Sequence, residues 1–295
     1  MSGTRIAPLT RHELRRLLQR EGLHPRRSLS QNFLTDGEAL DAIVAAADLA
    51  PGDRVVEIGP GLGVLTRRLL AAGARVTALE IDHGLVRFLE RELTDADGLT
   101  LVEADALAVD PDDLFPGQSY HLVANIPYHV TSPLVHRYLG AAHAPDRSVL
   151  LVQAEVAERI AAPPGDMSYL SAFVQDLATA DIVARVPAAA FEPEPEVDSA
   201  VLRLVRRPEP IVPANHRETF HRVVQAAFRQ RRKQIHNSLA RELPVDRATV
   251  DRALAGCGVD PERRPQTLSV AEWGCLTAAL RSDLDDGTAV GLAHG

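Results

Sequence analysis

The stretch "RVVEIGPGLGVLTRRLLAAG", residues 54–73, sets the fold of the chain. It begins with an apolar run of strand length, passes through a glycine-rich turn, and then repeats apolar residues at helical spacing until Gly73. A strand that enters a glycine turn and continues as a helix is typical of the first unit of a doubly wound α/β sheet. The stretch therefore predicts an α/β fold with a ligand site at the turn.

Apolar runs of strand length recur as far as residue 205, and helical patterns such as 62–73 and 83–96 lie between several of them. This alternation predicts a mainly parallel sheet with helices on both faces. The last two runs follow one another without an intervening helix, so we expect an antiparallel pair at the sheet's edge. The predicted strands are 54–59, 75–81, 99–104, 120–125, 148–153, 181–187 and 199–205.

The strand pattern ends at "RRPEPIVP", residues 206–213, whose three prolines indicate a linker. Beyond it only helical patterns return, over 216–241, 246–256 and 269–281. The organisation that follows is a basic helical N-terminal extension over 1–29, a catalytic α/β domain over 30–207, an all-helical domain over 208–283 and a flexible tail over 284–295.

Composition excludes several classes of protein. No window approaches the ~18 consecutive apolar residues of a transmembrane helix, and the N-terminus lacks the apolar core of a signal peptide. We therefore expect a cytoplasmic protein. The two cysteines, Cys257 and Cys275, lack the spacing of a metal pair, so we expect no metal site and two reduced thiols packed as small apolar groups.

The charge is unevenly distributed. The net charge is −8, yet residues 1–34 hold seven Arg against two Glu, and residues 216–247 hold seven Arg and one Lys against three acids. Such basic islands are most often solvated helix faces. They become candidate nucleic-acid surfaces only if they lie near a site that accepts RNA or DNA.

The glycine turn indicates the chemistry of its ligand. Gly59 and Gly61 let the backbone turn tightly and approach a ligand closely. Val64 stands where the dinucleotide fingerprint G-x-G-x-x-G needs its last glycine. Glu57, just before the turn, would repel a pyrophosphate and suits a ligand that carries an amino group.

Two further acids follow the next strands. Glu80 ends the second strand, where it can accept both hydroxyls of a ribose, and Asp105 follows the third, where a carboxylate can accept from an adenine amine. Any one of these acids could be an ordinary strand-end carboxylate. Together with the glycine turn they predict a cationic nucleoside ligand, and S-adenosylmethionine fits that description.

The segment "NIPY" follows the fourth strand at the same predicted edge. The side-chain oxygen of Asn125 and the carbonyl of Ile126 can both accept from an exocyclic amine, Pro127 holds the turn rigid, and Tyr128 offers a flat face for stacking. The lone pair of an adenine amine is delocalised, so acceptors that hold its hydrogens out of the ring plane make it nucleophilic. The segment predicts methyl transfer to such an amine, whereas a plain capping turn would explain only the proline.

With these motifs the chain resembles the ribosomal RNA adenine dimethyltransferases, most closely the bacterial enzymes that act on 16S RNA. The likeness implies a Rossmann-like S-adenosylmethionine-dependent methyltransferase fold with a small C-terminal all-helical domain. It also implies dimethylation of two adjacent adenosines near the 3′ end of 16S rRNA in the small ribosomal subunit. The matching segments are "QNFL", "EIGPGLG", "ALEID", "EADAL", "NIPYHVTSP", "VQAEVAERI", "FEPEPEVDSAVLRL" and "FRQRRKQIHNSL".

The resemblance adds residues to the predicted cofactor site. It implies that Asn32 and Leu34 contact the cofactor beside Gly59, although by pattern alone Asn32 looks like a helix N-cap and Phe33 and Leu34 like a hydrophobic staple. It also implies that Asn125 bridges cofactor and target base. The full predicted set for the cofactor is Asn32, Leu34, Glu57, Gly59, Gly61, Glu80, Asp105 and Asn125.

The second basic island falls in the segment "FRQRRKQIHNSL". The resemblance places it in the domain that binds RNA, where we expect salt-dependent phosphate contacts. The chain departs from the family at Ala154 and Glu196, where Lys is frequent, and Lys233 is its one lysine, so arginine would make most phosphate contacts. The candidate RNA-binding residues are Arg229, Arg231, Arg232 and Lys233.

Three other functions stay open. The 23S RNA methyltransferases of macrolide resistance share the same catalytic motifs. An oxidoreductase could use the same type of fold, although the missing last glycine opposes it. A ribosome-assembly factor could act mainly by binding, although the intact "NIPY" segment opposes that. We expect a monomer, because no long apolar helix face lacks a partner within the chain.

Overall fold

The computed structural model describes residues 10–26, 31–126 and 130–291. The chain forms two compact units, which we call the first unit (Met1–Ala157 and Ala180–Arg206) and the second unit (Glu158–Thr179 and Arg207–Gly295). Residues 158–179 therefore pack with the helical C-terminal part, although they lie within the predicted catalytic domain.

Nine strands occur in the described part of the chain. They are β1 Phe33–Leu34, β2 Arg54–Ile58, β3 Arg75–Glu80, β4 Leu99–Glu103, β5 His121–Asn125, β6 Arg147–Gln153, β7 Ala178–Val186, β8 Phe191–Glu192 and β9 Ser199–Arg206.

The same described residues contain twelve α-helices. They are α1 Arg11–Glu21, α2 Gly37–Ala47, α3 Val64–Ala71, α4 His83–Glu92, α5 Pro111–Leu114, α6 Thr131–Gly140, α7 Ala154–Ile160, α8 Tyr169–Leu177, α9 Arg217–Arg229, α10 Ile235–Glu242, α11 Arg247–Gly256 and α12 Val270–Gly291.

A seven-stranded sheet forms the centre of the first unit, in the order β4-β3-β2-β5-β6-β9-β7. Strands β2 to β6 pair in parallel, and β9 runs antiparallel to β6. All seven predicted strands are confirmed, and the last two, β7 and β9, do lie at one edge. The strand order reverses at β2, so the carboxyl ends of β2 to β5 meet at one edge beside a topological switch point.

The entrance to α2 differs from the sequence-based interpretation. The N-cap of α2 is Asp36, whose side chain accepts from the N–H of Ala39 at 2.8 Å, so the N-cap interpretation of Asn32 is wrong. Phe33 and Leu34 are not a staple either, because they form β1 and pair antiparallel with β8. A two-residue strand has too few positions to show a period of two, so its distant partner is not visible in the sequence.

Helix α1 is part of the first unit. A capping box of Thr10 and Glu13 starts the helix. Its apolar face buries Leu14 and Leu18 in a cluster with residues of α4 such as Phe88 and Leu89. The predicted helical extension is thus an integral layer of this unit over its described part.

The second unit is built around one apolar cluster that includes Trp273 and Phe220. The single helix predicted over 216–241 is wrong, because a turn separates α9 from α10. The N–H of Lys233 donates to Gln230 in that turn, and the N–H of the buried Ile235 donates to the carbonyl of Arg263. These tertiary bonds turn the chain at a point where the sequence contains no Gly or Pro.

Two further expectations for the second unit are corrected. Cys257 and Cys275 form a disulfide instead of two reduced thiols, because the end of α11 packs beside α12. Residues 284–291, predicted as part of a flexible tail, continue α12, whose Leu284 is still buried. Residues 292–295 lie outside the described part. No helix in the described ranges is both long and apolar enough to cross a bilayer.

Candidate active site

A cavity of about 270 Å³ lies at the edge of the sheet where the parallel strands end. Its wall comes from the carboxyl ends of β2, β3 and β5 with the residues that follow them, from the loop after β4, and from the segment that contains β1. Leu85 of α4, Phe191 of β8 and the start of α6 complete it. The structure brings together on this wall the predicted residues Asn32, Gly59, Gly61, Glu80, Asp105, Asn125 and Ile126.

The glycine turn between β2 and α3 leaves backbone exposed to this cavity. Gly59 has a φ of +70°, and a Cβ there would lie 3.7 Å from the carbonyl oxygen of Asn125. Gly61 has a φ of +59°, and a Cβ there would lie 3.2 Å from the ring of Phe33. A side chain at Gly61 would therefore be strained and would crowd the wall, so only glycine keeps the backbone open to a ligand.

Glu80 ties the end of β3 to the glycine turn. One carboxylate oxygen accepts from the N–H of Gly61 at 3.1 Å, and the other accepts from the N–H of Asp82 at 2.9 Å. Burial raises the pKa of Glu80, and these backbone N–H groups oppose the rise. The fixed carboxylate faces the cavity, where it can accept from ribose hydroxyls.

Glu57 is fully buried and does not line the cavity. Neither of its carboxylate oxygens has a hydrogen-bond partner among the described residues. Burial raises the pKa of Glu57 to about 8; the nearby Thr66 hydroxyl opposes the rise, and the Glu80 carboxylate adds to it. A buried acid next to a second acid favours a positively charged ligand nearby, because a cation stabilises both ionised forms.

Asp105 lies in the loop after β4, at the other end of the same edge. Its side chain is exposed, and Oδ1 accepts from the N–H of Leu107 at 2.8 Å. This bond fixes the direction of the carboxylate and leaves its second oxygen able to accept from an adenine amine.

Asn125 ends β5 beside Gly59. Its Nδ2 donates to the carbonyl of Asn32 at 3.3 Å, and the N–H of Ile126 donates to the carbonyl of Leu151 at 3.1 Å. These two hydrogen bonds hold both residues in place. The side-chain oxygen of Asn125 and the carbonyl oxygen of Ile126 are then the groups that can accept from a substrate amine. The other two predicted catalytic residues, Pro127 and Tyr128, lie outside the described residues.

Two aromatic residues of the wall are not among the predicted site residues. Phe33 and Phe191 line the cavity from the paired strands β1 and β8. The only signal for them was their place in the segments "QNFL" and "FEPEP". Leu34, which the resemblance assigns to the cofactor, is buried in the apolar core of the first unit and is not part of the wall.

The candidate RNA-binding residues lie in the second unit, at the end of α9 and in the turn that follows. Arg229 forms an ion pair with Glu242, with an N–O distance of 3.4 Å. Arg231, Arg232 and Lys233 are exposed, and no ion pair to them occurs within the described ranges.

The charged and polar groups around the cavity fit S-adenosylmethionine. The wall carries two carboxylates, Glu80 and Asp105, and no Lys or Arg among the residues that the structure describes. Glu57 lies buried behind it without a hydrogen-bond partner in the same part of the chain. Such a site disfavours a pyrophosphate and favours a nucleoside with a positive charge. No group of three or more potential metal ligands occurs within the described ranges.

Comparison with known families agrees with this geometry. The family model "Ribosomal RNA adenine dimethylase" matches residues 22–276. The chain belongs to this family. The dimethylase is therefore an enzyme, an rRNA adenine dimethyltransferase that uses S-adenosylmethionine as its methyl donor.

Sequence similarity to known relatives extends over most of the dimethylase. It is 43% identical over 276 residues to the ribosomal RNA small subunit methyltransferase A of Moorella thermoacetica. The matched residues make up 90% of this chain and 96% of that protein. The enzyme of the same name from Bacillus cytotoxicus is 38% identical over 274 residues, with 90% and 94% covered.

Solved structures share its architecture. The 23S rRNA methyltransferase ErmE has a TM-score of 0.69 at 33% identity, with 85% of this chain and all of that chain covered. A dimethyladenosine transferase from Plasmodium falciparum has a TM-score of 0.73 at 24% identity, with 85% and 98% covered. The second likeness, at that identity, shows the Rossmann-like methyltransferase fold alone.

Proposed function

We propose that this dimethylase transfers methyl groups from S-adenosylmethionine to the exocyclic amines of two adjacent adenosines near the 3′ end of 16S rRNA, in the small ribosomal subunit, as a step of ribosome biogenesis. The observation that carries the choice of subunit is the 43% identity, over 90% of the chain, to a ribosomal RNA small subunit methyltransferase A. The two adjacent adenosines come from the family resemblance of the sequence.

We assign the cofactor to the cavity at the carboxyl ends of the parallel strands. Glu80 would hold the ribose, Asp105 the adenine amine, and the glycine turn at Gly59 and Gly61 would pass beside the methionine part. Glu57 would favour the positive charge from its buried position. When bound, S-adenosylmethionine supplies a methyl group on a positively charged sulfur, and the sulfur leaves as a neutral thioether.

The target base is assigned to the space beside Asn125. Because Nδ2 of Asn125 donates to Asn32, its Oδ1 can accept one hydrogen of the target amine, and the carbonyl of Ile126 can accept the other. In the first transfer, holding both hydrogens aims the nitrogen lone pair, so the residues act by position and need no strong base. The methylated amine is acidic and releases its extra proton to water. The sequence-predicted Tyr128 would offer a flat face to a base turned out of its stack, and Phe191 forms part of the apolar wall.

RNA contacts are assigned to the turn between α9 and α10. Arg231, Arg232 and Lys233 have no acidic partner within the described ranges, so they can neutralise phosphates at little cost. Arg229 contributes less in this proposal, because Glu242 already pairs with it. A monomeric state and a cytoplasmic location remain predictions from the sequence.

A second candidate is methylation of 23S rRNA. The observation that favours it is the 33% identity to ErmE, all of whose chain is covered. The catalytic residues would be the same in both cases, since either reaction methylates an adenine amine. Substrate choice must therefore be measured.

The test is methyl transfer from labelled S-adenosylmethionine to small and large ribosomal subunits purified from cells that lack adenosine dimethylation. Reverse transcription then locates the product, because dimethylation removes the amine hydrogens that pair and extension stops there. We expect stops at two adjacent adenosines near the 3′ end of 16S RNA. A stop in 23S RNA would select the second candidate, and label in neither subunit would favour an assembly factor that acts by binding.

A further inference from the structure

Helix α6 spans the distance between two functional parts of the cavity. Val130 and Leu134, at its start, line the same cavity as Asn125 and Ile126. Its second half carries side chains that reach the loop after β4, where Asp105 lies. One rigid element therefore contacts both the target-base side and the adenine side of the site.

Three N–H groups of the loop after β4 have partners within the loop. The carbonyl of Asp105 accepts from the N–H groups of Ala108 and Val109 at 2.8 and 3.1 Å, and its side chain accepts from the N–H of Leu107. These bonds close a turn, whereas the carbonyl groups of Ala106, Ala108 and Val109 accept from donors outside the loop.

Two adjacent residues of α6 bind those carbonyls. The hydroxyl of Tyr138 donates to the carbonyl of Ala106 at 3.2 Å. The guanidinium of Arg137 donates through Nε to the carbonyl of Val109 at 2.6 Å and through Nη2 to that of Ala108 at 3.4 Å. The loop is thus held at three backbone positions by one helical turn.

The burial of these groups makes the arrangement rigid. Tyr138 is fully buried and Arg137 is half-buried. Burial raises the pKa of Tyr138 to about 12, so its hydroxyl keeps its proton and donates over the physiological range. A buried carbonyl that lost this donor would stay unsatisfied, so the loop would have to move to find water.

We infer that Arg137 and Tyr138 are positioning residues that hold the loop after β4 so that Asp105 meets the adenine amine, and that they thereby set the enzyme's preference for an adenine nucleoside in its cofactor. The inference rests on the proposed assignment of Asp105 to the adenine. Neither residue lines the cavity, so each acts through the backbone of the loop.

The experiment measures two dissociation constants for each protein by titration calorimetry on the full chain. One ligand is S-adenosylhomocysteine, and the other is S-inosylhomocysteine, which has an oxygen in place of the adenine amine. We expect the unmodified enzyme to prefer the adenosyl ligand about tenfold or more, because the inosyl oxygen faces a carboxylate and cannot donate. Arg137→Met and Tyr138→Phe should each lower that ratio, and Arg137→Lys, which keeps one donor, should be intermediate.

A matched control is Arg206→Met. Arg206 also donates to a backbone carbonyl, that of Ala144 at 3.2 Å, but Ala144 is not part of the cavity wall. The ratio should stay at the unmodified value in this variant. Melting temperatures of all variants are measured alongside, so that any general loss of stability is seen separately.

Asp105→Ala separates this inference from the assignment on which it rests. If Asp105→Ala keeps the full preference, Asp105 does not meet the adenine and both the assignment and the inference are wrong. If Asp105→Ala abolishes the preference while Arg137→Met and Tyr138→Phe keep it, the assignment stands and the inference is overturned. An equal loss of affinity for both ligands in the two α6 variants, with an unchanged ratio, overturns it as well.

Discussion

Arg15 and Glu192 are joined by two parallel hydrogen bonds of 2.8 Å, one from Nε and one from Nη2 of the guanidinium to the two carboxylate oxygens. Glu192 follows Phe191, which lines the cofactor cavity, and the pair fixes helix α1 to strand β8 at that point. The hydrogen bonds from Arg15 lower the pKa of Glu192. Arg15, one arginine of the first basic island, thus forms an ion pair within the molecule. By charge alone, the island is typical of a solvated face or an RNA contact.

Replacing Arg15 should loosen this attachment. We expect Arg15→Met to lower the melting temperature and the rate of methyl transfer, and we expect the stability difference to shrink at high salt, because the pair is partly exposed and is screened. The matched control is Arg16→Met on the same helix, where no ion pair occurs in the described part of the chain. Equal effects of the two substitutions would show that the ion pair is not what matters.

Glu57 should make the stability of the ligand-free enzyme fall as pH rises. Its pKa of about 8 lies above its ordinary value of 4.5, so the native state holds a proton that the unfolded chain has lost. The stability from that proton is complete below about pH 4.5 and is lost as pH rises through 8. Glu57→Gln cannot ionise and should melt at a higher temperature than the unmodified enzyme at pH 8.5, with a smaller difference at pH 6.

The control for this series is Glu90→Gln, which changes an exposed carboxyl of α4 that has no ion pair within the described ranges. Its melting curve should follow that of the unmodified enzyme across the range. Parallel pH profiles for Glu57→Gln and the unmodified enzyme would mean that Glu57 is not protonated in the ligand-free state.

Glu80 should be needed for the cofactor and not for the ribosomal particle. Glu80→Ala removes the acceptor for ribose and frees the N–H of Gly61, so binding of S-adenosylmethionine should weaken by about a hundredfold, as for two lost hydrogen bonds to a charged group. Methyl transfer should be abolished, while sedimentation with small subunits should persist. Unchanged methyl transfer would show that the cofactor lies elsewhere.

The exposed turn between α9 and α10 should determine the salt dependence of RNA binding. In the triple variant Arg231→Gln, Arg232→Gln, Lys233→Gln, the slope of log affinity against log salt should fall by about two to three, because each lost phosphate contact removes about one counterion. The affinity for S-adenosylhomocysteine should not change. Arg247→Gln, also in this basic island but paired with Asp251, is the matched control and should leave the slope nearly unchanged.

The sequence predicts the elements that are marked by a continuous apolar run or by apolar residues at helical spacing. Strands such as β2 and β5 are continuous apolar runs, and once the sheet is parallel their carboxyl ends must share an edge. Glu80 and Asn125 were therefore placed at one site by topology, without any knowledge of contacts. The glycine turn adds the same information from backbone conformation.

The parts that it does not predict depend on contacts between distant segments. The pairing of β1 with β8 brings Phe33 and Phe191 to the cavity, yet each strand has only two residues. The break between α9 and α10 follows from a bond between Ile235 and Arg263, in a stretch that is otherwise a good helix. Likewise, nothing at Cys257 indicates that Cys275 lies within bonding distance, since helix packing sets that distance.

Because residues 158–179 belong to the second unit, segments exchanged between relatives should keep these residues together with the C-terminal helices. The main chain passes from one unit to the other three times, after Ala157, after Thr179 and after Arg206. Helix α8 contacts α9 and α12, and its Ala172 belongs to their apolar cluster. A chimera made by a single crossover near residue 207 would therefore pair α8 of one parent with the helical bundle of another. Swaps that are meant to move substrate choice need two inserts, 158–179 and 207–295, taken from the same parent.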